Sequence, residues 1–204
     1  MYEDETDLIE GLIKQEDQAF RYAITQYHSS MMYLANSLVG TKLADEVVQE
    51  SWFSVLQALP KFERRSSLKT WILRIVANEA KSRLRKENRL TSLDAMTAQD
   101  PDLAARFDDS GHWAVQPIQW DMDSPDELLS TEELRECMER LVASLPELQS
   151  ATLNLREQQG YSLQEICNIL EVSESNVRVL LHRARNRLFR CIEHFQDTVE
   201  CHVG

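Results

Sequence analysis

The sequence predicts an all-α protein: two small helical bundles joined by a flexible acidic linker, the C-terminal bundle containing a helix-turn-helix. Three observations carry this. Apolar residues recur at helical spacing through both ends of the chain. Residues 91–130 lose that period and hold Pro101, Pro117, Pro125, Gly111 and many Asp, the composition of a linker. Ser162 to Phe189 reads SLQEICNIL, then Glu171-Val172-Ser173, then ESNVRVLLHRARNRLF. Two helices about three residues apart make a helix-turn-helix, whose second helix is built to enter a major groove.

At the N-terminus, Leu8, Leu12, Ile13, Phe20, Ile24 and Tyr27 predict one helix from Asp7 to Tyr27. Met31, Met32, Leu34, Ala35 and Leu38 predict a second, stopped by Gly40. Thr41 opens a third, closed at Leu59 by Pro60. Ala44, Val47, Val48, Trp52, Val55 and Leu59 form its core side. Glu46, Gln49, Glu50, Phe53 and Gln57 lie within about 60° of one another on the opposite side. An exposed ring amid acids and amides is suited to protein docking.

A polar loop through Arg64, Arg65, Ser66 and Ser67 leads to a fourth helix, Leu68 to about Asn88, capped by one of the two serines. Its core side is Leu68, Ile72, Ile75, Val76, Ala80 and Leu84. Arg74, Asn78, Lys81 and Arg85 form a ridge on the other side, with Trp71 at the border. Cations in a row with an amide able to read a base edge suit nucleic acid. The small basic loop before them could hold a base swung out of its stack. Trp71 is read first as a half-buried core residue and second as a stacking platform.

After the linker, Thr131 to Ser144 is helical over Leu134, Met138, Leu141 and Val142, and Pro146 starts a helix ending near Gly160. In the last helix Val177, Leu180, Leu181, Ala184 and Leu188 form one stripe, while Arg178, His182, Arg185 and Asn186 turn away from it. Ser175, Arg178, Val179, His182 and Arg183 occupy the early turns, which reach base edges. No acid occurs from Ser175 to Cys191, whereas a merely solvated face usually mixes signs. Ser173 is placed to cap this helix. Glu171 stands where such turns commonly have Gly, and would be strained if the turn needs a positive φ.

The chain has 204 residues, 43% of them apolar, and a net charge of −12. That charge is segregated: residues 60–90 hold ten cations against three acids, and residues 94–133 hold eleven acids against one Arg. We place the domain boundaries at 1–90, 91–130 and 131–204. No apolar run approaches 18 residues and the first 20 are acidic, so neither membrane insertion nor a signal peptide is expected. Cys137, Cys167, Cys191 and Cys201 lie apart without a CxxC pair, and reduced thiols in a cytoplasmic protein are the simplest reading. Cys191, His194, Cys201 and His202 in the tail are soft ligands, but C-x2-H-x6-C-H is an unfamiliar spacing, so no metal is assigned. No glycine-rich phosphate loop, nucleophile elbow or metal-hydrolase motif is present, so no enzyme and no cofactor are expected.

Two stretches carry a family resemblance. ADEVVQESWFSVLQALPKFERRSSLKTWILRIVANEAKSRLRK resembles the second conserved region of sigma-70 family sigma factors of the extracytoplasmic-function (ECF) group. LPELQSATLNLREQQGYSLQEICNILEVSESNVRVLLHRARNRL resembles their fourth region. Together they cover a little under half of the chain, in the family's order and at its separation.

The resemblance implies a role for each set of residues. Asp45, Glu46, Gln49 and Glu50, with Phe53 beside them, match the segment that docks on the polymerase β′ coiled-coil. Arg64, Arg65, Ser66, Ser67, Lys69 and Thr70 match the loop that captures an unstacked base of the −10 element. Trp71, Arg74, Asn78 and Lys81, extended by Arg85, match the helix contacting that element. Ser175, Asn176, Arg178, Val179, His182 and Arg183, with Arg185, match the helix that reads the −35 element. The linker resembles the segment threading the RNA-exit channel, where its negative charge fits.

The implied partners are core RNA polymerase (β′ coiled-coil and β flap), promoter DNA and an anti-sigma factor. The expected function is therefore an ECF-type sigma factor that binds core polymerase, directs it to promoters and assists their opening. Two rival readings are a sigma-like decoy that binds an anti-sigma factor and a plain helix-turn-helix regulator. A decoy has no use for the basic block, and a plain regulator does not explain the Glu46–Phe53 stripe.

Overall fold

The computed structural model describes residues 4–86, 132–198 and Cys201. Most of the expected linker, with Trp113 and Trp120, lies outside the described residues, as does His202. Eight α-helices and no strand occur among the described residues. They are α1 (Glu5–Ile13), α2 (Asp17–Val39), α3 (Thr41–Ala58), α4 (Leu68–Lys86), α5 (Glu132–Ser144), α6 (Glu147–Leu153), α7 (Leu163–Leu170) and α8 (Glu174–Thr198). A 3-10 turn spans Leu59–Lys61 and a π turn spans Asn154–Gln158.

The first helical break falls earlier than the sequence suggested. α1 ends at Ile13, and α2 then runs unbroken through Tyr27 to Val39. The cause is a Schellman-type stop: Glu16 N–H donates to Gly11 C=O and Gln15 N–H to Leu12 C=O, with Gln15 at φ 59°. Because Gln rather than Gly takes the left-handed position, no sequence signal marked it. Of the residues whose spacing marked the helix, Ile13 and Ile24 are exposed, while Ile9 is buried. Gly40, at φ 77°, stops α2 and starts α3 without a residue between.

Among the described residues, 4–86 and 154–177 form one compact unit. In it α2, α3 and α4 pack pairwise, and α1 lies against α2. Leu34, Leu38, Val48, Val55, Ile72 and Val76 are among the buried side chains. α7 packs on α4 in the same unit, burying Ile166, Ile169 and Leu170. The amphipathic face of α7 carries no label in the sequence saying which helix covers it. Ser162 caps α7 in a capping box: its Oγ accepts from Glu165 N–H, and Glu165 returns the bond to Ser162 N–H at 2.9 Å. The hydroxyl and backbone of Ser162 hold the Glu165 carboxyl below its usual pKa.

The second unit holds, among the described residues, 132–153, 178–198 and Cys201. Leu134, Cys137, Leu141, Cys191 and Phe195 make one cluster, lined by Met138, Leu188 and Cys201. Leu145, Leu153 and Ala184 make another, with Val142 and Leu188 against it. The cysteines depart from the expectation of scattered, reduced thiols. Cys137 and Cys201 form a disulfide, and Cys191 Sγ lies 3.3 Å from Cys137 Sγ. Three of the four meet because α8 runs along α5, a juxtaposition across 54 and 64 residues that spacing does not reveal.

Candidate nucleic-acid interface and protein-docking ridge

On α3 the two faces separate as expected, except that Trp52 is half-buried and Ser51 is buried beside the stripe. Val47, Val48, Ser51 and Val55 are buried, while Asp45, Glu46, Gln49, Glu50 and Gln57 are exposed. Phe53 is 61% exposed, an aromatic ring left in water amid acids and amides. One member is not held by α3 alone. Glu46 Oε2 accepts from Arg83 Nη2 of α4 at 2.8 Å, so the ridge is tied to the neighbouring helix. Glu79 of α4 accepts from Ser54 Oγ at 2.6 Å, a second tie between the same helices. Neither bond was foreseen, since sequence gives no register between α3 and α4.

The loop before α4 is ordered by its serines. Ser67 Oγ accepts from Thr70 N–H at 3.2 Å, so Ser67 is the cap that the sequence left between two candidates. Arg64 sits at φ 55°, in the left-handed region, and its guanidinium donates to Thr6 Oγ1. Arg65 is exposed and pairs with Glu63 at 2.7 Å. Ser66 is half-buried and donates to Ser67 C=O. Thr70 differs from the expectation of an outward contact: it is buried, with its Oγ1 2.9 Å from Ser67 Oγ. Its short side chain completes the cap and supports the loop from beneath. Trp71 is half-buried, its ring 4.8 Å from that of Phe62, which agrees with the core reading put first.

Along α4, Arg74, Asn78 and Arg85 are exposed and Lys81 is half-buried. Two of these cations already meet oxygen. Arg74 Nε lies 3.4 Å from Glu171 Oε1, and Lys81 Nζ donates to Leu170 C=O, at the end of α7. A helix C-terminus offers unsatisfied carbonyls and the negative end of its dipole, so an ammonium is well placed there. Burial pushes the Lys81 pKa down, against Glu171, which raises it. Lys69 Nζ sits 5.3 Å over the Tyr161 ring, a cation–π distance. An open cleft beside Arg74 is lined by Gln164, Asn168, Glu171 and Ser173.

The turn into α8 is as tight as three residues allow. Glu171 adopts φ 53°, ψ 48°, the left-handed conformation that its position demands. Ser173 Oγ accepts from Asn176 N–H at 3.3 Å, the expected cap. On α8, Ser175 and Val179 are exposed, and Asn176, Arg178, His182, Arg183 and Arg185 are half-buried. Val177, Leu180, Leu181 and Ala184 are buried as expected. Asn186 breaks the pattern: it is buried, with its amide nitrogen 3.2 Å from His182 Nδ1. Phe189 is buried on the same side. α8 is thus covered on two sides in its second half, whereas the helical-wheel argument assumes one.

An exposed acidic ridge with an aromatic centre, a basic ridge on the next helix and a capped helix-turn-helix together suit a protein that binds DNA and docks on another protein. Two family models match: Sigma-70 region 2 over residues 23–90, and Sigma-70 region 4 over residues 135–188. The ECF RNA polymerase sigma-E factors of Salmonella typhimurium and Escherichia coli K12 are 32% and 31% identical over 184 residues, covering 89% of this chain and 90% of theirs. A solved structure of the sigma factor RpoE with the anti-sigma factor NepR from Bartonella quintana has a TM-score of 0.54 at 20% identity, covering 89% of this chain and 98% of that one. One of CnrH with the cytosolic domain of CnrY has a TM-score of 0.55 at 17% identity, covering 93% and 97%. At these identities the two structures speak to the fold.

The chain belongs to the sigma-70 family, in its ECF group. Its function is that of an ECF sigma factor in transcription initiation.

Proposed function

We propose that the two ridges of the first unit divide the work of initiation. Asp45, Glu46, Gln49, Glu50 and Phe53 dock on the β′ coiled-coil of core polymerase, with Phe53 the apolar anchor and the acids selecting a basic partner. Arg64, Arg65, Ser66, Ser67 and Lys69, positioned by Thr70, form the pocket edge for a flipped −10 base. Trp71, Arg74, Asn78, Lys81 and Arg85 track the strand beside it. Capturing a base offsets an unstacking cost of a few kcal/mol, so opening uses binding energy with no chemical step. The chain is accordingly a binding factor and not an enzyme.

Ser175, Asn176, Arg178, Val179, His182, Arg183 and Arg185 read the −35 element in the major groove, while this region holds the β flap. Functionally the chain divides into region 2 (1–90), an acidic segment for the RNA-exit channel (91–130) and region 4 (131–204). An anti-sigma factor is a further partner, as two solved relatives by fold were each captured with a regulator or cytosolic domain bound. Work on DNA with the polymerase places the chain in the cytoplasm, and no described helix is long and apolar enough to cross a membrane.

The observation that carries this reading is Phe53, 61% exposed within an acidic ridge one helix away from the Arg74–Lys81 ridge. Run-off transcription with purified core polymerase and promoters selected from genomic DNA tests it. Product is expected with the native chain and lost with Glu50→Arg, whose fold and DNA-binding ridge are untouched. Normal polymerase binding by that variant would exclude the docking assignment.

A further inference from the structure

Cys137 lies on α5, Cys191 on α8 and Cys201 beyond the end of α8, and their Sγ atoms are all within 4.8 Å of one another. Cys137 and Cys201 are bonded, and Cys191 Sγ sits 3.3 Å from Cys137 Sγ. Cys137 and Cys191 are buried against Leu134, Leu141 and Phe195, whereas Cys201 is half-buried. A static staple needs two sulfurs. A third in contact with one of them offers that sulfur a second partner.

We propose that these three residues form a thiol–disulfide exchange site that fastens Cys201 to α5 and releases it. The oxidant is a small disulfide. The Cys201 thiolate, the sulfur nearest solvent, attacks it and expels one small thiol, leaving a mixed disulfide on Cys201. Cys137 thiolate then attacks Cys201 Sγ and expels the second small thiol, so two protein thiols are oxidised and one small disulfide is reduced to two thiols. The second step needs no external electrons. Cys191 thiolate attacks Cys137 Sγ, the Cys137–Cys201 bond breaks, a Cys137–Cys191 bond forms, and Cys201 leaves as the thiolate and takes up the proton that Cys191 lost.

The two bonded forms differ in what they restrain. Cys137–Cys201 pins Cys201 to α5; Cys137–Cys191 joins α5 to α8 internally and lets Cys201 go. In a compartment that keeps thiols reduced, a disulfide of this kind is transient and reports redox state. A metal fits the cluster less well. Among the described residues only three sulfurs converge, the surround is apolar, and structural zinc takes four ligands.

The test uses the full chain. It is reduced with dithiothreitol, freed of it, exposed to oxidised glutathione, alkylated under denaturing conditions and mapped by mass spectrometry. In the native chain, Cys137 should be found bonded to Cys201 or Cys191 in at least about tenfold excess over any bond to Cys167, which remains alkylated. Cys191→Ser should form Cys137–Cys201, reversed by dithiothreitol, whereas Cys201→Ser, which lacks the sulfur that meets the oxidant, should leave the buried Cys137 and Cys191 alkylated. A native chain in which Cys137–Cys191 is never found beside Cys137–Cys201, or a Cys201→Ser chain oxidised as fast as the native one, would overturn exchange. Bonds to Cys167 at equal frequency, or a reduced chain holding one zinc ion that blocks all three thiols, would overturn it too. The native map does not depend on any variant folding, and thermal melts confirm that the two serine variants fold.

Discussion

Replacing Phe53 with Ala separates docking from folding more cleanly than any other change in the molecule. A Phe side chain offers on the order of 200 Å², and Phe53 is 61% exposed. About 120 Å² is therefore available to a partner, worth about 3 kcal/mol at about 25 cal/mol per Å². Alanine keeps the Cβ and part of that contact, so the loss on binding should be about 2 kcal/mol, or about thirtyfold in Kd. Folding should hardly change, because the ring sits in water and α3 prefers Ala to Phe. The assay is titration of fluorescently labelled full chain with core polymerase, alongside a thermal melt. The expected result is a Kd raised about thirtyfold at an unchanged Tm. An unchanged Kd would refute the docking role of the ridge. A weakened Kd accompanied by a fall in Tm of more than a few degrees would mean that Phe53 serves the fold.

Glu171→Gly should raise Tm by about 2–4 °C, since relief of the φ 53° conformation outweighs the loss of one exposed ion pair with Arg74; a lowered Tm would show that the pair matters more than the backbone. Asn78→Ala should leave core binding unchanged and reduce −10 opening, read by permanganate reactivity, about tenfold; loss of core binding instead would count against its DNA role. The Ser162–Glu165 box should be acid-sensitive. Glu165 has a folded pKa below its unfolded value, so its stabilisation is fully present above about pH 4.3 and disappears as pH falls through the depressed folded value. The urea-midpoint gap between the native chain and Glu165→Gln should therefore narrow from pH 6 to pH 3, and a constant gap would mean that the carboxylate charge is irrelevant there.

The parts legible in the sequence are those governed by a single helix. The α3 stripe, the Ser173 cap and the Glu171 conflict each depend on residues within a turn or two of one another, and periodicity or local backbone sterics decides them. The parts that were not legible depend on which helix meets which. Arg83 reaches Glu46, Lys81 reaches the end of α7 and Cys137 reaches Cys201, all across long separations that propensity cannot rank. Asn186 was misread for a related reason: a wheel drawn for one covered face cannot show a second. Gln15 escaped notice because the usual residue of its conformation was missing, while Thr70 was assigned outward when its hydroxyl was needed for a cap. The π turn at Asn154–Gln158 interrupts what read as one uniform helix from Pro146 towards Gly160, with Leu155 buried within it.

The contacts made by Arg74 and Lys81 have a cost for any ligand of α4. Glu171 presents a carboxylate and Leu170 a peptide oxygen, and both stand in for the phosphate oxygens that the same cations would meet on a nucleic acid strand. A strand bound there, as we propose, displaces these two contacts, and its net attraction to Arg74 and Lys81 is the difference between two similar sets of bonds.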